Sequence, residues 1–320
     1  ERCRYLGNIS TSPVLPMYKE KCPPNRKDRQ RQQGGHSMDP TCLNYLLTDQ
    51  ERRQFEEDGY FIVKDVLPRE IIPELIAVVD RIDAELRPDF DRGPYEGCNH
   101  FDFIGQDDIF LEPLDWPRTF PKVWALLGWH IQLYHSHVMV TPSLPEGQAP
   151  KRKRLGWHQD SGRLNIDLEG DPRPRISLKV AYFLTDCTDT VSGNFHAIPG
   201  SHLRNRLDLP EDGESDPEGA TPIQVATGDA VFFDRRLWHA GGHNRSGKTR
   251  KVLFYGYSYR WLKPRDDMTV AHYMDRCDPV RRQLLGDARS GGHGFTSPEP
   301  EDIPLRAWIK EHVGKDAVVL

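Results

Sequence analysis

The sequence predicts a mostly β domain with flanking helices, built around a double-sheet jelly-roll barrel. Three observations carry this. From residue 130 onward, runs of β-branched and aromatic residues recur, punctuated by Gly, Asn, Asp and Ser. Helical patterns come first and strands later, the order of an antiparallel double-sheet barrel with helices packed outside. The chain is long enough for one large domain, at 320 residues, and its 37% hydrophobic content is enough for a core.

The elements follow in order. Residues 1 to about 40 read as a disordered or extended segment. KEKCPPNRKDRQRQQGG is basic, bears Pro and Gly, and lacks apolar anchors. A single domain is expected over 41–320, with the barrel at about 130–262 and a helical extension at about 263–320. Thr48 with Glu51 three residues on fits a capping box and opens a helix. Tyr60 to Val63 is a short strand, and IIPELIAVVDRIDAELR is a second helix with apolar residues at helical spacing. Residues 87–120 are polar, aromatic and irregular, a loop long enough to act as a functional flap, with Phe101 and Phe103 as lid candidates. FPKVWALLG is a short helix and IQLYHSHVMVT a strand. PRISLKVAYFLTD, TPIQVATGDAVFFD and RKVLFYGYSYRW supply the later strands, and NRSGK at 244–248 is a hairpin turn. AHYMDRCDPVRRQLLG and PLRAWIKEHV close the chain as helices.

Composition excludes several functions. A net charge of -5 gives no general attraction to nucleic acid or anionic membrane. No run of 18 apolar residues exists to span a bilayer, and ERCRYLGNIS has no signal-peptide stretch. The six cysteines are scattered without a CxxC pair, which points to reduced thiols and a cytoplasmic protein rather than a disulfide framework. GxGxxG, GKS/T and GxSxG motifs are absent.

The chemistry concentrates around GWHQDSGRLN. His158 and Asp160 are i and i+2, so on an extended backbone their side chains share a face and can approach one ion. The best third ligand is His239, which follows the strand DAVFFD. Two histidines and a carboxylate on one face of an ion form the facial triad of non-haem Fe(II) oxygenases, which leaves positions open for a chelating 2-oxo acid and dioxygen. A bound 2-oxoglutarate buries its far carboxylate, and a guanidinium pairs with it in bidentate fashion. Arg250 opens the strand RKVLFYGYSY and shares a face with Val252 and Phe254, an odd place for an arginine without an anion to meet.

WHQD at 157–160, IPGSH at 198–202, GDAVFFD at 228–234, WHAG at 238–241 and Arg250 together resemble the phytanoyl-CoA dioxygenase-like family of Fe(II)- and 2-oxoglutarate-dependent oxygenases, over roughly residues 45–262. The resemblance implies a double-stranded β-helix (jelly-roll, cupin-like) core. It implies iron on His158, Asp160 and His239, and 2-oxoglutarate on Arg250, eleven residues past His239 as in that family. A polar amide is usual on the strand before the HxD motif. Here His135 and His137 share one face of that strand, opposite Tyr134 and Ser136, and one of them takes the amide's place beside 2-oxoglutarate. Halogenases related to the family have a small residue at the position of Asp160, so the carboxylate favours oxygenation over halogenation. The implied activity is hydroxylation of an unactivated C–H bond of a small molecule of specialised metabolism, with release of succinate and carbon dioxide. Desaturation, cyclisation and endoperoxide formation use the same centre. A cupin-like metal enzyme independent of 2-oxoglutarate and a non-catalytic binding protein are the other classes. Gln159, Phe101, Phe103, Asn194 and Arg163 are candidate substrate contacts. Small-molecule substrate and dioxygen are the expected partners, with no nucleic acid and no membrane; monomer and homodimer both stay open.

Overall fold

The structure, a computed structural model, describes residues 38–318. The basic N-terminal stretch lies outside the described residues. Helix α1 (Asp49–Asp58) starts at the expected capping box: Glu51 N–H donates to Thr48 Oγ at 3.2 Å, and Thr48 N–H donates to Glu51 Oε2 at 2.9 Å. It stops at Gly59, whose φ of 81° is the left-handed conformation that glycine adopts without a Cβ clash. Strand β1 (Tyr60–Val63) follows directly, then helix α2 (Ile72–Leu86), strand β2 (Cys98–Phe101), helix α3 (Phe120–Leu127) and strand β3 (Ile131–Thr141). After a short helix α4 (Leu164–Asp167) come strands β4 (Ser177–Phe183), β5 (Phe195–Ala197), β6 (Thr221–Ile223), β7 (Ala230–Asp234), β8 (His239–Gly241) and β9 (Arg250–Tyr259). Helices α5 (Pro279–Leu284) and α6 (Pro304–His312) lie in the C-terminal extension.

The strands form two antiparallel sheets, one of order β1-β7-β4-β9-β3-β2 and one of order β6-β5-β8. This is the expected jelly roll flanked by helices. The large sheet also takes in β1 and β2, from outside residues 130–262. Alternation sorts its side chains between two cores. Leu178, Val180, Tyr182, Phe232, Leu253 and Tyr255 pack against the helical layer. Ala181, Phe183, Val231, Phe233, Val252 and Phe254 face the small sheet. Burial on both faces explains why β4, β7 and β9 read as near-continuous apolar runs. Phe61 stacks on Phe232 at 4.7 Å, and each such buried ring contributes roughly 1.5–3 kcal/mol.

Four expectations change. Much of the 87–120 segment is core rather than flap: Phe103, Ile104, Ile109, Phe110, Leu111 and Leu114 are buried in the helical-side core, while Phe101 stays exposed on the cavity. The hydroxyls of Tyr255 and Tyr257 pin it by donating to the carbonyls of Phe110 and Leu114. TPIQVATGDAVFFD splits into β6 and β7, in different sheets, because Gly228 turns the chain at φ 92°. NRSGK is a corner rather than a hairpin turn, since β8 and β9 also belong to different sheets. Finally, β3 carries a β-bulge between Leu133 and His135. The extra residue reverses the alternation. Ile131 and Leu133 pack in the helical-side core together with Val138 and Val140. Tyr134 therefore does not sit opposite His135; its hydroxyl accepts from Ser177 Oγ at 3.4 Å.

Candidate metal and 2-oxoglutarate site

His158 and His239 meet across an antiparallel bridge. Each donates its backbone N–H to the other's carbonyl at 3.0 Å, which puts both side chains on one face. Their rings lie 4.3 Å apart. Each imidazole is held from behind by a carbonyl two residues earlier: Nδ1–H of His158 donates to Gly156 O, and Nδ1–H of His239 to Leu237 O, both at 2.8 Å. Those bonds leave both Nε2 lone pairs free to ligate. Asp160 joins them because its N–H donates to Arg235 O at 2.9 Å. The ligand atoms of His158, Asp160 and His239 all lie within 4.8 Å of one another.

Asp160 is buried, and its two oxygens differ. Oδ1 accepts from Lys179 Nζ at 2.8 Å. Oδ2 is buried without a hydrogen-bond partner. Burial pushes this carboxyl up, but Lys179, His239 and His158 together outweigh it and hold the group well below the usual carboxylate range. Burial, with the neighbouring His158, pushes His239 down to about 3, so its ring is neutral at pH 7. Two imidazoles, each with Nδ1 committed to a carbonyl, and a carboxylate with one orphaned oxygen fit a divalent metal bound through Asp160 Oδ2.

The triad lines one cavity with His135, His137, Lys179, Phe254 and Arg250. Arg250 is buried, its Nη1 donates to Gly193 O, and Nη2 lies 3.3 Å from Thr141 Oγ1. Nε has no partner, and no carboxylate of the described residues is within ion-pair distance. Burial pulls its pKa down to about 10, so it keeps its charge at neutral pH. A buried guanidinium without an anion fits the distal carboxylate of an oxo-acid.

Residues 55–252, more than half of the chain, match the model of the family described as phytanoyl-CoA dioxygenase (PhyH). The chain belongs to the phytanoyl-CoA dioxygenase family. It is an enzyme of the Fe(II)/2-oxoglutarate-dependent oxygenase type, with a metal and 2-oxoglutarate site. An uncharacterised protein of Mycobacterium tuberculosis is 28% identical over 233 residues, covering 71% of this chain and 81% of its own. HygX from Streptomyces hygroscopicus, solved with nickel and 2-oxoglutarate bound, superposes with a TM-score of 0.52 at 16% identity, over 68% of this chain and 90% of its own. SnoK, a non-haem α-ketoglutarate-dependent carbocyclase from nogalamycin biosynthesis, superposes with a TM-score of 0.52 at 20% identity, over 76% of this chain and 94% of its own. These two structures share the fold of the family member described here. No helix of the described residues is long and apolar enough to cross a membrane.

The other expected site residues separate into two groups. His135, His137 and Phe101 line the cavity. His135 Nδ1 is bound to Asp266 Oδ1 at 2.6 Å, whereas His137 stacks on Phe254 at 4.4 Å and its buried Nδ1 has no partner. Burial lowers both histidines' pKa values, so neither ring carries charge at pH 7. The remaining four stand away from the cavity. Gln159 turns outward and donates to the carbonyls of Arg204 and Arg236. Phe103 is core, packed edge-on against Phe110 and Tyr255. Asn194 spends its amide on the carbonyls of Cys187, Asp189 and Ile223, holding the loop before β5. Arg163 is exposed and pairs with Asp167.

Sequence reading missed Lys179, Asn99, Arg265 and Asp266. Lys179 had a signal: a lone lysine in SLKVAYF, in phase with Ala181 and Phe183. The other three had none, because loop and edge positions carry no periodicity.

Proposed function

We propose that this enzyme oxidises an unactivated C–H bond of a small molecule, with His158, Asp160 and His239 holding Fe(II) and Arg250 holding the distal carboxylate of 2-oxoglutarate. One observation carries the reading. A ligand triad and a buried arginine without a counter-ion face the same cavity. A 2-oxoglutarate-independent cupin-type enzyme has no use for that arginine, and a binding protein has no use for the triad. Bound iron, with 2-oxoglutarate and dioxygen, supplies the oxidising chemistry, and succinate and carbon dioxide are released.

The chain's own residues orient and insulate. The carbonyls of Gly156 and Leu237 fix the tautomers of the two histidines. Lys179 occupies Asp160 Oδ1 and so directs Oδ2 to the metal. His137, with its open Nδ1 on the Arg250 side of the strand, is the histidine that faces the oxo-acid, while Asp266 turns His135 toward substrate. Phe183, Phe195, Phe233 and Phe254 keep the space between triad and Arg250 dry.

Hydroxylation is the primary outcome of this reading. Ring closure is the second, because the carbocyclase SnoK carries the same fold. The test is anaerobic binding of 2-oxoglutarate followed by turnover with oxygen across a substrate panel. Asp160→Ala abolishes succinate release, and Arg250→Met weakens 2-oxoglutarate binding by about 2–5 kcal/mol, the effect of truncating one partner of a buried charged pair. Full activity in Asp160→Ala, or unchanged 2-oxoglutarate affinity in Arg250→Met, refutes the assignment. Product mass separates the outcomes: gain of one oxygen for hydroxylation, loss of two hydrogens for ring closure or desaturation.

A further inference from the structure

Two guanidiniums line the cavity without a carboxylate partner, and the proposed function employs only one. The second is Arg265, in the segment that follows β9. Its backbone N–H donates to Tyr134 O at 2.7 Å, at the bulge of β3. Arg250 touches Thr141, at the other end of that strand, roughly 20 Å along the backbone. The two arginines therefore approach the cavity from opposite ends. Arg265 is solvent-accessible, and its guanidinium lies over the ring of Phe101 at 5.6 Å, itself 47% exposed. No acidic side chain of the described residues forms an ion pair with it. The adjacent Asp266 is already committed, accepting from His135 Nδ1 and from the Ser136 N–H.

The charge balance of the cavity points the same way. Its cations are Lys179, Arg250 and Arg265; its carboxylates are Asp160 and, behind His135, Asp266. Three positive charges face two negative ones. A divalent metal adds two positive charges and 2-oxoglutarate two negative ones, so the surplus of one persists in the loaded site. It resides on Arg265, because Lys179 is paired with Asp160 and Arg250 is taken by the oxo-acid. An unpaired guanidinium stacked on a ring at a cavity lining is a receptor for an oxyanion.

We infer that the substrate is an organic anion: a carboxylate or similar oxyanion docks on Arg265, and the apolar body lies against Phe101 with its reacting carbon toward the triad. Neutral His135, held by Asp266 through Nδ1–H, offers Nε2 as an acceptor for a hydroxyl or N–H of the same molecule. This inference rests on the proposed function, since it assigns Arg250 to the oxo-acid.

The test uses the whole enzyme loaded anaerobically with Fe(II) and saturating 2-oxoglutarate. The visible charge-transfer band of that complex reports retention of both. Matched probe pairs, 4-phenylbutyrate with 4-phenylbutyramide and 2-naphthoate with 2-naphthamide, are titrated by calorimetry. The acids bind about tenfold tighter than the amides, as one charge-assisted contact provides. Arg265→Gln removes that preference without changing the band, and Arg265→Lys keeps part of it. Equal binding of acid and amide, no saturable binding of either acid at millimolar concentration, or a preference that survives Arg265→Gln overturns the inference. If the band fails to form, or forms unchanged in Arg250→Met, the proposed function and this inference fall together; if it forms and acids and amides bind alike, only the substrate inference falls.

Discussion

Lys179→Met separates the charge of this lysine from its volume. Lys179 sits in the middle of β4, where every residue is buried, and its Nζ lies 2.8 Å from Asp160 Oδ1 with both side chains 5% exposed. Methionine fills the space of the aliphatic stem and removes the charge. In metal-free protein Asp160 is then buried without its cation. Removing one partner of a buried pair costs about 3–5 kcal/mol. At about 2–4 °C per kcal/mol for domains of this class, the melting temperature in EDTA falls by roughly 6–20 °C. A divalent metal on Oδ2 supplies the missing positive charge and no longer meets the repulsion of the nearby ammonium. The thermal shift on adding Mn(II) is therefore larger in Lys179→Met than in the wild type, by the linkage of binding to stability. Differential scanning calorimetry of both proteins, in EDTA and in excess Mn(II), measures all four corners of the cycle. Equal melting temperatures in EDTA together with equal metal-induced shifts would refute the view that Lys179 is the counter-ion of the metal-ligating carboxylate.

Two further perturbations probe the frame around the site. Gly256 faces the β3 bulge, and a Cβ there comes within 3.0 Å of Tyr134 Cε1 and 3.1 Å of His135 O; Gly256→Ala costs about 1–3 kcal/mol of overpacking, read by urea denaturation, and a wild-type midpoint argues against a tight bulge. Asp234 is fully buried, between Arg175 at 2.8 Å and Arg236 at 2.7 Å. Burial raises its pKa, but the two guanidiniums outweigh that and hold it below the ordinary value of 3.8. Its stabilisation is thus complete above that value and lost as pH falls through the lower, folded one. Asp234→Asn is accordingly less stable by about 3–5 kcal/mol at neutral pH, and the gap narrows in acid. A gap that stays constant from pH 7 to the acid limit contradicts this sign.

The legibility of each residue in the sequence follows from how local its cause is. The capping box at Thr48 and Glu51, both ends of β3, the start of β9, and the shared face of Arg250, Val252 and Phe254 depend on spacing within one element, and all stand in the structure. The 87–120 segment misleads because its backbone is irregular while its side chains are core: burial there is granted by Tyr255 and Tyr257, more than a hundred residues away. The KRKR run at 151–154 shows the same dependence. Lys151 pairs with Glu96, Lys153 with Glu214 and Arg154 with Asp212, so its charges find partners more than fifty residues away. The expectation of Tyr134 opposite His135 fails for a smaller reason, one extra residue in a strand, which strict alternation does not register.

The sequence by itself determined the jelly roll and brought out the candidate set His158, Asp160, His239 and Arg250, because periodicity and motif spacing are properties of neighbouring residues. Tertiary structure alone decided that His158 bridges His239, that Lys179 takes one oxygen of Asp160 and leaves the other free, and that Asp266 holds His135 while Arg265 keeps an unpaired charge at the cavity lining. Those facts arise where strands from distant parts of the chain cross, and charge is compensated in space, not along the chain.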